Sequence, residues 1–455
     1  MKTIGRDFGD VARKVYATAS GTLPNGKPVI VNSDGSVSVV SGASATQALG
    51  SPVVFSSVNS TYVAGAFDSA NNRVVFSYRG GNSGYGYAVV GTVSGTSISF
   101  GTPVVFASES VYYVGATFDI NASKVVIAYR ASSGGGKGRA IVGTVSGTTI
   151  SFGNSAIFEA VTANFCKITF DSNSNKVVIA YSDSGNSAYG TAAVGTVSGT
   201  SISFGTPVVF ESASSADTAI TFDSNSNKVV IAYKDVGNSN YGTAIVGTVS
   251  GTGISFGTAV VFESATTSNP AITFDSNSNK VVIAYTDGGN NNYGTSVVGT
   301  VSGTGISFGT AVVFNAADTT LATGCVFDSN ANKVVIAYKD AGNSNYSTLI
   351  VGTVSGTGIS FGSEVVFDQK PSGFYLPVFD STSNKVVIGY EDANAQGYGR
   401  SVVFQNAFTS TTLTAENYIG MSSGGVEYDE GAAAVGSAVV FESAGVDYLS
   451  ASFDS

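Results

Sequence analysis

The chain has 455 residues, of which only 11% are charged, and its formal net charge is −10. It holds no His, no Trp and two Cys, which excludes His-based triads, His metal sites and CxxC motifs. Apolar residues still make up 43%, too many for a disordered chain, and the acidic balance argues against a nucleic-acid groove.

In chain order, residues 1–7 (MKTIGRD) carry no apolar core of a secretory signal, and no later run approaches the ~18 apolar residues of a membrane span. Neither membrane insertion nor secretion is therefore expected. Residues 14–20 (KVYATAS), 27–40 (KPVIVNSDGSVSVV) and 51–55 (SPVVF) then read as short strands divided by Asn25-Gly26 and Asp34-Gly35 turns.

A repeat follows. The dipeptide Phe-Asp recurs at Phe67, Phe118, Phe170, Phe222, Phe274, Phe327 and Phe379, spaced by 51 to 53 residues, and once more at Phe453 after a longer interval. Each repeat holds four apolar runs rich in Val, Ile, Phe, Tyr and Thr. In the copy around Phe274 they are A (271–274), B (281–285), C (295–301) and D (306–314). Asp-Ser-Asn-Ser-Asn between A and B, and Ser-Gly-Thr-Gly between C and D, are tight reversals, so the runs pair antiparallel. No window has a helical period.

Four antiparallel strands per repeat of about 50 residues predict an all-β fold, a β-propeller. A parallel solenoid, the competing repeat fold, has shorter coils without two hairpins in each. The tail 448–455 (YLSASFDS) imitates an A strand. The expectation is thus one domain spanning 1–455. It has eight blades, the eighth built from the three N-terminal segments and closed by the C-terminal strand. An insertion at 405–436 interrupts blade seven.

Phe and Tyr that recur in every copy, including the Tyr ending each B strand, are expected to pack between blades. The segments joining D to A vary most. Five residues before each Phe of Phe-Asp stand Tyr62, Tyr113, Phe165, Asp217, Asn269, Ala322, Phe374 and Tyr448. The five aromatics fall on consecutive blades of the expected ring, and Tyr112 and Tyr375 add to the arc. Flat rings stack on the C–H faces of sugars, which makes this arc the candidate ligand-binding site; the plainer alternative is that the rings plug the channel or pack on the insertion. Tyr85, Tyr189, Tyr241, Tyr293, Tyr346 and Tyr398 recur in the B–C loops, as turn cover or as a multivalent polar rim. Asp223-x-Asn225-x-Asn227 lacks the Gly and distant Glu of a calcium loop, so a hairpin turn explains it without a metal. The basic residue after each hairpin, such as Lys228, is expected to pair weakly with the hairpin Asp. Cys166 and Cys325 are expected to stay reduced, and no cofactor is expected.

The consensus FDSNSNKVVIAYxDxGNSxYGTxxVGTVSGTxISFGTxVVFES resembles repeats in virion proteins of marine tailed phages, especially those of cyanobacteria. LTAENYIGMSSGG (413–425) resembles a stretch of such tail or fibre proteins. The resemblance implies a structural virion protein, a tail or fibre appendage, with other virion proteins and a host-surface glycan as partners. It carries over no site residues. A purely architectural spacer is the alternative. A glycan-cleaving enzyme is disfavoured, because the A strands offer no carboxylate pair and the Arg residues are scattered.

Overall fold

The computed structural model describes residues 44–319, 324–393 and 397–409, together with the backbone of 13–16, 28–31, 37–39, 420–422 and 438–441. They divide into two compact units, Thr46–Ala407 and the pair Met1–Ala45 with Phe408–Ser455, where a single ring was expected.

Thr46–Ala407 is antiparallel β throughout, with three one-turn 3-10 helices at Ser184–Asn186, Val236–Asn238 and Ala341–Asn343 among its described residues. The repeat around Phe222 shows the rule. The second half of the long strand Val208–Asp223 pairs with Lys228–Asp235, which pairs with Tyr241–Ser250. That third strand meets two partners: Gly253–Phe256 along one end, and the first half of the next long strand, Val260–Asp275, along the other. These are the predicted A, B, C and D runs. Each long strand begins as the outer strand of one sheet and ends as the inner strand of the next. Hydrogen bonding is therefore continuous over 29 strands, although seven inner strands each start a local four-stranded sheet. The result is a propeller-like arrangement.

Burial explains why the B run shows no alternation. Val229, Val230, Ile231, Ala232 and Tyr233 are all inaccessible to solvent, because this strand has a neighbouring sheet on each of its faces. The B-strand Tyr residues are core, as expected. Several of their hydroxyls donate to a carboxylate on the outer strand: Tyr181 to Glu159 (2.9 Å), Tyr233 to Glu211 (2.8 Å), Tyr285 to Glu263 (2.9 Å) and Tyr390 to Asp368 (2.9 Å). In the A–B hairpins the Asp side chain closes the turn. Asp223 Oδ1 accepts from the backbone N–H of Asn225 (2.9 Å) and Ser226 (3.0 Å). The following basic residues do not pair with it. Lys333 donates instead to Thr353 Oγ1 (2.6 Å), and Arg73 Nε to the carbonyl of Gly147 (2.9 Å).

The ends differ from the expectation. Residues 51–55 do not serve an eighth sheet: Tyr398–Gln405, third strand of the seventh repeat, pairs directly with Val53, Val54, Ser56 and Asn59 of Val53–Asp68, and with Ala48–Leu49. In the other compact unit, Arg13–Tyr16 and Pro28–Val31 are not neighbours as B and C would be. Ala438–Phe441 and Gly420–Ser422 lie between them, and Val37–Val39 completes that five-stranded sheet. The tail 448–455, with Tyr448, and most of the insertion lie outside the described residues.

Candidate ligand-binding site

Among the described residues, six of the variable D–A segments are strand rather than loop, and each of the six changes partner at a β-bulge. In Val104–Asp119, Ser110 still faces Tyr85 of one sheet, Tyr112 faces Arg130 of the next, and the register slips before Gly115. One residue in each bulge is left-handed: Tyr62 (φ 52°), Tyr113 (50°), Phe165 (54°), Asp217 (47°), Asn269 (49°) and Phe374 (54°). Bulky residues rarely adopt this conformation, at a cost of roughly 1–2 kcal/mol. Asp and Asn hold it as well, so the kink belongs to the scaffold and the repeats differ in the side chain presented there.

Four of these side chains form a continuous arc. Ring centroids are 5.1 Å apart for Phe374–Tyr62, 5.3 Å for Tyr62–Tyr113 and 4.9 Å for Tyr113–Phe165, all tilted or edge-on. Tyr112 joins from the side, 5.9 Å from Tyr62. All five rings are half-buried. Burial, then the neighbouring Tyr62, raises the Tyr113 hydroxyl pKa, whereas a hydrogen bond with Ser110 leads the causes that lower that of Tyr112. Beyond Phe165 the arc turns polar: Asp217 pairs with Lys234 at 2.8 Å.

Tyr375 does not belong to the arc. It follows the left-handed Phe374, a position that is buried as Val63, Val114 and Cys166 in other repeats, and it enters the core at 4% exposure, against Phe367 and Tyr390. Its hydroxyl donates to the carbonyl of Ser372 (3.2 Å), beside Ser347 Oγ (3.2 Å). The tyrosines of the B–C turns, such as Tyr189 and Tyr241, open the third strands and are half-buried there.

Residues outside the expected arc also meet here. Arg130 lies over both Tyr112 (4.3 Å) and Tyr113 (4.9 Å), and Arg79 lies over Tyr112 (5.0 Å). Beside Arg79 opens a cavity of about 570 Å³ lined by Ser57, Val58, Asn59, Arg79, Gly81 and Asn82. The signal for these arginines was present in the repeat. The next-to-last residue of the second strand varies as Arg79, Arg130, Ser182, Lys234, Thr286, Lys339 and Glu391.

Glu391 has lost enough water for its carboxyl pKa to rise from 4.5 to about 7. The folded state therefore holds a proton that the unfolded state releases between those values. This group's contribution to stability falls as pH rises from about 4.5 to 7 and stays low above it. Glu391→Gln is expected to match the wild type near pH 4 and to exceed it by about 1–2 kcal/mol at pH 8, less than the full shift implies because water still reaches the carboxyl. Denaturant midpoints measured across that range check this; parallel curves for the two proteins would refute it.

No family model matches the chain, and no curated protein does. Among solved structures, the BP39L lectin from Burkholderia pseudomallei superposes with a TM-score of 0.59 at 12% identity, over 77% of this chain and 100% of the lectin chain. At that identity the likeness is one of fold: the chain is all-β, antiparallel and propeller-like.

Proposed function

We propose that this protein is a carbohydrate-binding β-propeller of seven blades, without catalytic activity, displayed on a phage particle as its repeat resemblance implies. The observation that carries the reading is the arc Phe374–Tyr62–Tyr113–Phe165, four touching rings on one side of the circle of inner strands. Lectin activity in a protein of like fold supports it.

The seven-blade ring draws on three contacts. Val365–Asp380 lies against Val53–Asp68 as every other inner strand lies against the next. Phe374 touches Tyr62, which leaves no wedge between the seventh and first repeats. Gly50 also abuts the Thr96 carbonyl as Gly101 abuts that of Thr148. The outer strand that closes the ring is N-terminal.

Within the arc, tilted rings offer partial faces to sugar C–H groups, while Asp217 and the arginines supply hydrogen bonds to hydroxyls. Carboxylates nearby are already engaged. Asp217 binds Lys234, Asp235 caps its turn through the Asn238 N–H (3.0 Å), and Glu211 holds Tyr233. That disfavours a pair free for acid–base work.

Asn already occupies the kink position as Asn269, so Tyr113→Asn and Tyr62→Asn keep the left-handed backbone. Each is expected to lower binding to host-envelope glycans by about tenfold or more, as a lost aromatic anchor does, with an unchanged circular dichroism spectrum. Tyr375→Phe is expected to bind as the wild type. Full binding by Tyr113→Asn and Tyr62→Asn would leave the protein an architectural spacer. Shortening of a glycan polymer during incubation would make it an enzyme.

A further inference from the structure

Arg79 and Arg130 share one aromatic ring, so their guanidinium groups lie closer together than the ~10 Å Debye length at 0.1 M salt. Such like charges repel unless something anionic sits between or beside them. Among the described residues neither arginine has a carboxylate partner within 4 Å. The nearby acids are occupied. Glu109 accepts from the Ser133 N–H (3.0 Å) and hydroxyl, and Asp217 is held by Lys234.

The arginines are nevertheless held in place by neutral groups. Arg130 Nη1 donates to Asn164 Oδ1, and the Asn164 amide nitrogen donates in turn to Ser184 Oγ (2.9 Å), which fixes the oxygen toward Arg130. Arg79 Nε points at Ser110 Oγ (3.4 Å). The chain beside Arg79 is shaped to fit it. A Cβ on Gly84 (φ +68°) would come within 2.8 Å of Arg79 Nε and 2.4 Å of Ser110 Oγ. The corresponding residue in three later repeats is Asn240, Asn292 or Asn345. A guanidinium carries five N–H donors, and these contacts leave most of them for a ligand. Arg79 also borders the 570 Å³ cavity, which has room for a sugar ring.

We infer that the Arg79–Tyr112–Arg130 cluster is an anion subsite selecting a saccharide that bears a carboxylate or sulfate group. The forked donors of arginine match either group in a bidentate way, and Tyr112 keeps the two forks oriented. In a chain of net charge −10, this local positive spot sets the acceptable sign of the sugar. The inference deepens the carbohydrate-binding reading: the arc supplies stacking, and the arginines supply selection.

Titration calorimetry with trigalacturonic acid and its neutral methyl ester separates the two. The acid is expected to bind about tenfold more tightly than the ester, the difference made by one charge-assisted contact, and the margin is expected to shrink at high salt. Arg79→Gln and Arg130→Gln are expected to abolish that margin, weakening the acid to the affinity of the ester or below while weakening the ester less. Gly84→Asn, which displaces Arg79 without removing its charge, is expected to reduce it. Lactose against sulfated lactose, run in parallel, tells whether sulfate replaces carboxylate as the selected group. Equal binding of charged and neutral forms in both pairs, survival of the margin in both Gln variants, or no binding of either charged probe overturns the inference. If Tyr113→Asn leaves all probes bound while Arg79→Gln removes the margin, the aromatic arc fails and the anion subsite stands.

Discussion

Gly205→Ala is expected to destabilise the fold by about 3 kcal/mol or more, although the residue has no unusual backbone angle. A Cβ there would stand 2.0 Å from the carbonyl oxygen of Thr252 in the next repeat. The obstacle is backbone, so no rotamer change relieves it. Two sheets would have to separate, and overpacking of that kind costs 1–3 kcal/mol, occasionally more. The same approach recurs at Gly101, Gly153, Gly257 and Gly309, each 1.9–2.0 Å from the equivalent Thr carbonyl. Gly251→Ala is the informative control. Gly251 sits at φ +61° with open space around the missing Cβ, so Ala there meets only the left-handed penalty of roughly 1–2 kcal/mol. Denaturant unfolding of both variants checks the order. Equal losses would mean that the sheets do not touch backbone to backbone.

The strands were legible because their turns are. Asp223-Ser224-Asn225 can close a hairpin from its own side chain, and the apolar run of Lys228–Asp235 can only be a buried strand. The D–A segments misled because Ser, Thr and Asn look like loop composition. Their backbone groups are instead taken up by two ladders, one on each side of a left-handed residue. Tyr375 misled because the residue that follows each left-handed one turns inward: Val63, Val114, Cys166 and Thr218 are buried at that position as Tyr375 is, whereas Tyr112 precedes its left-handed neighbour and stays with the arc. The arginines read as scattered because they lie 51 residues apart in sequence and meet only in the fold. The informative variation lay instead at the end of the second strand, where Arg79 and Arg130 stand in place of Ser182 or Thr286. The partner of the first outer strand was not legible at all. SPVVF at 51–55 differs by one residue from the outer-strand TPVVF at 102–106 and 206–210, and its partner, Tyr398–Gln405, is about 345 residues away. No local propensity distinguishes pairing there from pairing with an eighth sheet.

That long-range pairing has its own expected result. Val53 and Ser401 are direct Cα partners on adjacent antiparallel strands, a separation that a disulfide spans. Val53→Cys with Ser401→Cys is expected to cross-link under mild oxidation. Closing a loop of roughly 350 residues raises stability by at most about 6 kcal/mol on the chain-entropy account, and by about 2–4 kcal/mol in a typical cross-link. Ser401 is a favourable host, since its buried hydroxyl has no hydrogen-bond partner among the described residues and a thiol of similar size gives up nothing there. The native thiols compete little. Cys166 and Cys325 are both free, and burial pushes the Cys166 thiol up to about 12, which leaves almost no thiolate to react. A mobility shift on a non-reducing gel, reversed by reductant and accompanied by a higher thermal midpoint, is the expected outcome. If the two cysteines can be alkylated yet never join, the first outer strand does not close on the seventh sheet. The contact between Phe374 and Tyr62, and the aromatic arc that depends on it, would then be lost together.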